Sequence, residues 1–95
     1  MQTERTLQEY LKRTAKKLRI SFFKMECVGR SGFPDVMLAY AGQCVFIELK
    51  SPAGTGRVSP RQKLMIKELT NQGIPVYVSD SKEKIDSIIA GLINC

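Results

Sequence analysis

Apolar residues follow helical spacing at both ends of the chain. Near the N-terminus they recur at intervals of three and four, at Leu7, Leu11, Ala15 and Leu18. Because lysines and arginines fill the other faces, we predict an amphipathic helix over residues 3–19, with Thr3 as its N-cap. A last helix is predicted near the C-terminus, where one face carries Ile85, Ile88, Ile89 and Leu92.

Four shorter segments between these helices have the residues typical of strands. Their β-branched and aromatic content predicts strands over residues 22–28, 35–39, 44–50 and 75–79. A loop rich in turn-forming residues is predicted to follow the first strand, over residues 29–34. Residues 40–43 predict a tight turn that pairs the second and third strands.

A further helix is predicted to begin at Ser59, after a loop that is rich in glycine. Ser59 suits the N-cap, Pro60 suits the first helical position, and Gln62 completes a capping box. The helix should end just before Gly73, which favours a helix C-terminus. The order αβββαβα predicts one α/β domain over residues 1–95, with a mixed central sheet flanked by helices.

The charge of the chain indicates a polyanionic partner. Lys and Arg outnumber Asp and Glu by 15 to 9, which gives a formal charge of +6 over 95 residues. A small domain this basic is typical of proteins that bind nucleic acid, although lysines that serve only solubility are the alternative. The chain has no histidine, which excludes Ser-His-Asp and Cys-His catalysis and histidine-ligated zinc. Hydrolysis here would depend on carboxylates, lysine and a hard metal ion.

The cysteine pattern and the absence of targeting signals bear on location. Cys27, Cys44 and Cys95 form no CxxC pair and leave an odd count, which argues against a disulfide framework or a zinc knuckle. Neither a signal peptide nor a membrane span is apparent in the sequence. We therefore expect a cytoplasmic protein with no membrane partner.

The third predicted strand ends in polar residues, which suggests a site at that end of the sheet. Because side chains alternate along a strand, Glu48 and Lys50 share one face, and Leu49 points the other way into the core. Asp35 opens the preceding strand. Pairing about residues 41–42 places Asp35 opposite Glu48, within one residue of register.

Two carboxylates that face each other repel, and a divalent cation turns that repulsion into attraction. We predict Asp35 and Glu48 as ligands of Mg²⁺ or Mn²⁺, with the Leu49 carbonyl as a further ligand. Lys50 would orient a metal-bound water or stabilise charge on a phosphate. Metal-assisted phosphodiester hydrolysis requires these parts. The alternative is a surface ion pair between Glu48 and Lys50, with Asp35 capping a turn.

Two other residues are candidates for the same site. Glu4 lies three residues before Leu7 on the apolar stripe of the first helix, which makes it a candidate third acidic ligand. Alternatively, Glu4 only favours the helix dipole. Gln62, at the start of the second long helix, is placed to hold a metal-bound water or a phosphate, and this role is compatible with capping.

Basic residues surround these positions and are predicted to contact nucleic-acid phosphates. They are Lys24, Arg30, Arg57, Arg61 and Lys63. For any one of them, the alternative is a solvated cation.

Taken together, these motifs resemble the VRR-NUC branch of the PD-(D/E)XK nucleases. The similarity covers most of the chain and is carried by GFPD, VFIELK, GxVSPxQ and LxxxGxPV, which lie in that order. It implies a restriction-endonuclease-like fold, with an αβββαβ core and an additional C-terminal helix. It also implies Mg²⁺- or Mn²⁺-dependent cleavage of DNA. By position, the catalytic residues of the family correspond to Glu4, Asp35, Glu48, Lys50 and Gln62.

The late strand of the chain departs from the family pattern. Residues 76–79 read VYVS and lack the arginines of the family name, which puts a phosphate-contact role at these positions in doubt but leaves the catalytic core intact. A stand-alone domain of this length is similar to phage and prophage members. That similarity implies a homodimer that cuts branched DNA, including four-way Holliday junctions. Leu92, Ile93 and Cys95, or the surface of the first helix, would supply the dimer contact.

Two other classes of function compete with a nuclease. One is a DNA-binding module that has the same fold but no hydrolytic activity, against which the intact Asp35, Glu48 and Lys50 set argues. The other is a basic interaction protein with no nucleic-acid partner, which steeply salt-dependent binding to DNA would exclude.

Overall fold

A computed structural model describes residues 3–52 and 57–94. The element order is the predicted αβββαβα. The elements are α1 (Glu4–Lys17), β1 (Ser21–Lys24), β2 (Val36–Tyr40), β3 (Gln43–Leu49), α2 (Pro60–Asn71), β4 (Val76–Ser79) and α3 (Lys82–Ile93).

The four strands form one mixed sheet in the order β1-β2-β3-β4. The first three strands are antiparallel, and β4 runs parallel to β3 because α2 carries the chain across the sheet between them. In the β2–β3 hairpin, Tyr40 pairs with Gln43 and Val36 pairs with Ile47. This is the register expected from the sequence. Extending it by one residue places Asp35 opposite Glu48.

Alternate residues of β3 face opposite sides of the sheet. Val45, Ile47 and Leu49 belong to the main hydrophobic core, which the sheet forms with α1 and α3. Leu49 is fully buried there, as predicted. Phe46 and Glu48 face the other side, where Gln62 of α2 hydrogen-bonds to Glu48. The sheet therefore separates an apolar layer from a layer that carries the polar site.

The first strand is shorter than predicted, because β1 ends at Lys24 and not at Val28. One more backbone hydrogen bond follows, from the Met25 amide to the carbonyl of Asp35, the residue just before β2, at 2.8 Å. The chain then turns at Gly29, which has a φ of +83°, and leaves Val28 94% exposed. The predicted strand was too long because the turn begins at Cys27, two residues before the predicted loop.

The C-terminal helix contributes to the core more than predicted. Leu92 is buried and Ile93 packs against the core cluster, so Leu92 is not available for a dimer contact, while Cys95 lies outside the described residues. No helix within residues 3–52 and 57–94 combines the length and the apolar character needed to cross a bilayer.

The helices α1 and α2 end in the same hydrogen-bonded motif, but different residues occupy its left-handed position. After α1, the Ile20 amide donates to the Ala15 carbonyl at 2.9 Å, and Arg19 has a φ of +59°. After α2, the corresponding residue is Gly73, with a φ of +80°. Because side chains disfavour this left-handed conformation, Arg19 is strained where Gly73 is not.

Replacing Arg19 by glycine is therefore expected to raise the free energy of unfolding, by about 0.5 kcal/mol. Gly73→Ala is the matched opposite change and should lower it by a similar amount or more. Urea unfolding followed by circular dichroism measures both. A fall in stability for Arg19→Gly would show that the Arg19 side chain makes a contact worth more than the strain.

Candidate active site

Asp35 and Glu48 lie side by side at the end of the β2–β3 hairpin. The Leu49 amide donates a hydrogen bond of 3.0 Å to Asp35 Oδ2, which fixes the Asp35 carboxylate beside the third strand. Glu48 is only 2% exposed, whereas the Asp35 side chain is 24% exposed. The pair thus consists of one buried and one accessible carboxylate next to each other.

The two oxygens of Glu48 have different surroundings. Oε2 accepts hydrogen bonds from Gln62 Nε2 and, at 3.1 Å, from Lys50 Nζ. Oε1 is buried and has no hydrogen-bond partner among the described residues. A buried polar atom without a partner is rare, because it has lost its water and gained nothing in return.

The electrostatics around Glu48 favour an additional positive charge. Burial raises the pKa of the Glu48 carboxyl above its usual value, and the negative charges of Asp35 and Glu4 act in the same direction. The hydrogen bond and the charge of Lys50 oppose this rise without cancelling it. Ionised Glu48 is therefore incompletely compensated by the groups around it.

Lys50 lies on the same side of the strand as Glu48, as the alternation predicted. Its ammonium group is 3.1 Å from Glu48 Oε2 and donates to Gln62 Oε1 at 2.9 Å. The side chain is only 13% exposed, so its contacts with Glu48 and Gln62 fix the ammonium group and little of it meets solvent. Such a group can present positive charge in one fixed direction.

Gln62 performs its structural role and contacts the site at the same time. Ser59 caps α2, because its Oγ accepts a hydrogen bond of 3.2 Å from the backbone amide of Gln62. In return, Gln62 Oε1 accepts a hydrogen bond of 2.9 Å from the backbone amide of Ser59. This is the predicted capping box. The same side chain bonds to both Glu48 and Lys50, so the start of α2 fixes the geometry of both.

The oxygen-rich donor set fits a hard divalent cation. Glu48 Oε1, the Asp35 carboxylate and the predicted Leu49 carbonyl are the kinds of ligand that Mg²⁺ and Mn²⁺ accept. In the described ranges, no group of three acidic or cysteine side chains is arranged to hold a metal ion. Two carboxylates are nevertheless enough for Mg²⁺, which usually keeps several waters.

Glu4 is exposed in the first turn of α1 and is not buried with the apolar stripe. Its position at the helix end explains the difference, because the first turn extends beyond the core. Glu4 is close enough for its charge to raise the pKa of Glu48. Its role as a metal ligand stays a prediction.

A contact from α1 was missed in the sequence. Gln8 Oε1 accepts a hydrogen bond of 3.0 Å from Lys24 Nζ, and this ammonium group lies 3.9 Å from Asp35 Oδ1. Lys24 is therefore beside the site, and its contact with a phosphate stays a prediction. The available signal was the spacing of Glu4 and Gln8, which puts them on one face of α1.

The other predicted DNA-binding residues are less closely tied to the carboxylates. Arg30 pairs with Glu68 at 2.9 Å, and this hydrogen bond raises the pKa of the guanidinium. Arg61 donates to Ser31 Oγ at 3.2 Å. Arg57 and Lys63 are exposed, near and within α2 respectively. Their contacts with DNA stay predictions.

A mixed sheet with two carboxylates and a lysine at one end of its central hairpin is the arrangement that the sequence motifs led us to expect of a nuclease-type α/β domain. The chain matches the VRR-NUC domain family over residues 2–83. It therefore belongs to the VRR-NUC domain family, a family of DNA nucleases, as the sequence motifs indicated.

Solved structures support the same fold. One, described as a VRR_NUC domain, is 27% identical to this chain with a TM-score of 0.81, and the match covers 92% of this chain and 94% of that chain. Another, described as a VRR_NUC domain protein, is 20% identical with a TM-score of 0.83, covering 99% and 90%. The predicted α/β fold is thus confirmed. No curated protein matches the chain.

Proposed function

We propose that the protein is a Mg²⁺- or Mn²⁺-dependent DNA endonuclease, with Asp35, Glu48 and the Leu49 carbonyl as the metal ligands. The observation that carries this proposal is the buried Glu48 Oε1, which has no partner among the described residues and lies beside a second carboxylate. A bound cation would supply the compensation that this oxygen lacks. Family membership supports the nuclease activity itself.

When bound, such a cation polarises a phosphodiester and lowers the pKa of a coordinated water. The residues of the chain provide the remaining functions. The Leu49 amide holds Asp35, and Gln62 and Lys50 hold Glu48, so both carboxylates are oriented before DNA arrives. The Lys50 ammonium, 3.1 Å from Glu48, would stabilise the negative charge that develops on the phosphate.

Basic side chains near the carboxylates would hold the DNA. Lys24 lies next to Asp35, and the net charge of +6 favours association with a polyanion. Lys24 would then hold a DNA phosphate beside Asp35, and Lys50 would act beside Glu48.

The proposal extends to branched DNA and to a homodimer. A two-fold pair of active sites suits the cutting of two strands in a symmetric four-way junction. The edge strand β4 carries exposed Tyr77 and Val78, which provide apolar surface that a second copy would cover. A phage or prophage origin and a cytoplasmic location also stay proposals.

The test is a panel of linear, flapped and four-way DNA, each incubated with Mg²⁺, with Mn²⁺ or with EDTA. We expect cleavage with either metal, fastest on the four-way junction, and none with EDTA because the carboxylates alone cannot activate water. Binding is measured in parallel against salt concentration. Salt-dependent binding without cleavage in any metal would favour a silent DNA-binding module, and absence of DNA binding would favour an interaction protein.

A further inference from the structure

Two aliphatic side chains beside the candidate active site are unusually exposed. Val28 is 94% exposed and Leu64 is 69% exposed, the highest values among the large hydrophobic side chains of the described residues. Val28 lies in the loop between β1 and β2, and Leu64 lies on α2. Both elements also contribute to the site, the loop through Asp35 and α2 through Gln62.

Val28 occupies the corner of a tight turn. The Arg30 amide donates to the Cys27 carbonyl at 3.4 Å, which closes a four-residue turn with Val28 at its second position. Gly29 takes the third position with a φ of +83°, a conformation that this turn requires of a glycine. The turn therefore projects Val28 outward from the protein.

The turn is fixed to α2 and is not a loose loop. Arg30 pairs with Glu68 at 2.9 Å, and Arg61 donates to Ser31 Oγ at 3.2 Å. A Cβ added to Gly32 would lie 2.7 Å from the Arg61 carbonyl oxygen, so the two backbones are in close contact. A projection held this way loses little conformational entropy when it contacts a ligand.

The turn lies within reach of the DNA that the active site would bind. The Met25 amide donates a hydrogen bond of 2.8 Å to the backbone carbonyl of Asp35, and the three residues from Met25 to Val28 span at most about 10 Å. A phosphate at the carboxylates therefore brings its neighbouring bases close to Val28.

The surroundings of the turn carry the charge that such a ligand requires. A cleft of about 290 Å³ lies between the turn and α2, lined by residues that include Gly29, Arg30, Arg61, Leu64 and Glu68. Two arginines and one glutamate leave it net positive, which complements a phosphate backbone. An apolar projection flanked by cations matches the chemistry of side chains that part stacked bases.

We propose that Val28 is a wedge that inserts between bases of DNA next to the cleaved phosphodiester, with Leu64 covering the displaced base across the cleft. This inference rests on the proposed function and adds a specificity-determining residue to it. Because bases part most easily where stacking is already interrupted, the wedge favours branch points over continuous duplex.

The first test uses binding alone and therefore does not depend on cleavage. A four-way junction carries 2-aminopurine, whose fluorescence rises on unstacking, in the base pair beside the branch point. Glu48→Gln protein is expected to raise the fluorescence several-fold, and Glu48→Gln with Val28→Ala is expected to give less than half of that rise. Glu48→Gln with Leu18→Ala removes another aliphatic side chain, 43% exposed at the C-cap of α1, and should match Glu48→Gln alone.

The second test compares cleavage of two junctions. Val28→Ala is expected to slow cleavage of a fully paired junction about tenfold, equivalent to about 1.4 kcal/mol. Mismatched pairs beside the branch point should restore most of this loss, because their bases are already unstacked. A merely structural role for Val28 would not be rescued in this way.

The outcomes separate the wedge from the proposed function. A fluorescence rise that is unchanged by Val28→Ala, or absent altogether, overturns the wedge whether or not the protein cleaves DNA. A rise that depends on Val28, in a protein that cleaves no substrate with any metal, keeps the wedge and refutes the endonuclease.

Discussion

Replacing Glu48 by glutamine is expected to reduce DNA cleavage by about a thousandfold or more, as for other residues at the centre of a catalytic group. Glutamine has the same size and retains an oxygen for Lys50, but it lacks the charge that would hold a divalent cation. The change removes the function of Glu48 Oε1, which is buried and has no hydrogen-bond partner in the part of the chain that the structure describes. Binding of DNA should survive, because phosphate contacts from basic residues supply it.

Metal-dependent stability separates this explanation from misfolding. A ligand that binds the folded protein and not the unfolded chain raises the melting temperature, by an amount that grows with the ratio of its concentration to its Kd. Mn²⁺ should therefore stabilise the wild-type protein and leave Glu48→Gln unchanged, while the two proteins melt at similar temperatures in EDTA. Glu83→Gln removes an exposed carboxylate in the first turn of α3 and should behave as wild type. Cleavage by Glu48→Gln at the wild-type rate would show that the site lies elsewhere.

Lys50→Ala is expected to slow cleavage by about a hundred- to a thousandfold, the usual effect of removing a group that stabilises transition-state charge. In contrast to Glu48→Gln, this variant should still be stabilised by Mn²⁺. Lys50 is 3.1 Å from Glu48, so its removal takes a positive charge away from the proposed cation and does not weaken the metal site. Single-turnover cleavage and thermal melting with Mn²⁺ measure the two effects separately.

A matched lysine controls for charge. Lys12→Ala removes an exposed lysine from α1 and should change the cleavage rate less than twofold. If Lys50→Ala kept more than a tenth of the wild-type rate, Lys50 would be a structural partner of Glu48 and not a catalytic residue. If it lost stabilisation by Mn²⁺, its main role would be to position the carboxylate.

The pairing of Asp35 with Glu48 was predictable because local rules determine it. The alternation of β3 fixes which side chains share a face, and a two-residue turn fixes the register. Ala41 and Gly42 form this turn, both with positive φ, +49° and +82°. The capping box at Gln62 was predictable for the same reason, since it depends on residues three apart in the sequence.

The features that were not predictable depend on contacts between distant segments. The end of β1 at Lys24 depends on how far this strand pairs with β2, a contact between segments that residues 22–28 do not specify. The burial of the first turn of α1 depends on how far the helix extends past the sheet, so Glu4 was placed too deep. The bond from Lys24 to Gln8 joins two elements whose packing the periodicity does not specify.

The central claim is that Asp35 and Glu48 together hold the cation that DNA cleavage requires. The most direct measurement is anomalous X-ray scattering from a crystal of the protein grown or soaked with Mn²⁺ at a concentration that supports cleavage. We predict one ion in contact with the Asp35 carboxylate and with Glu48 Oε1. An ion bound elsewhere, or no ion at these carboxylates under those conditions, would contradict the account.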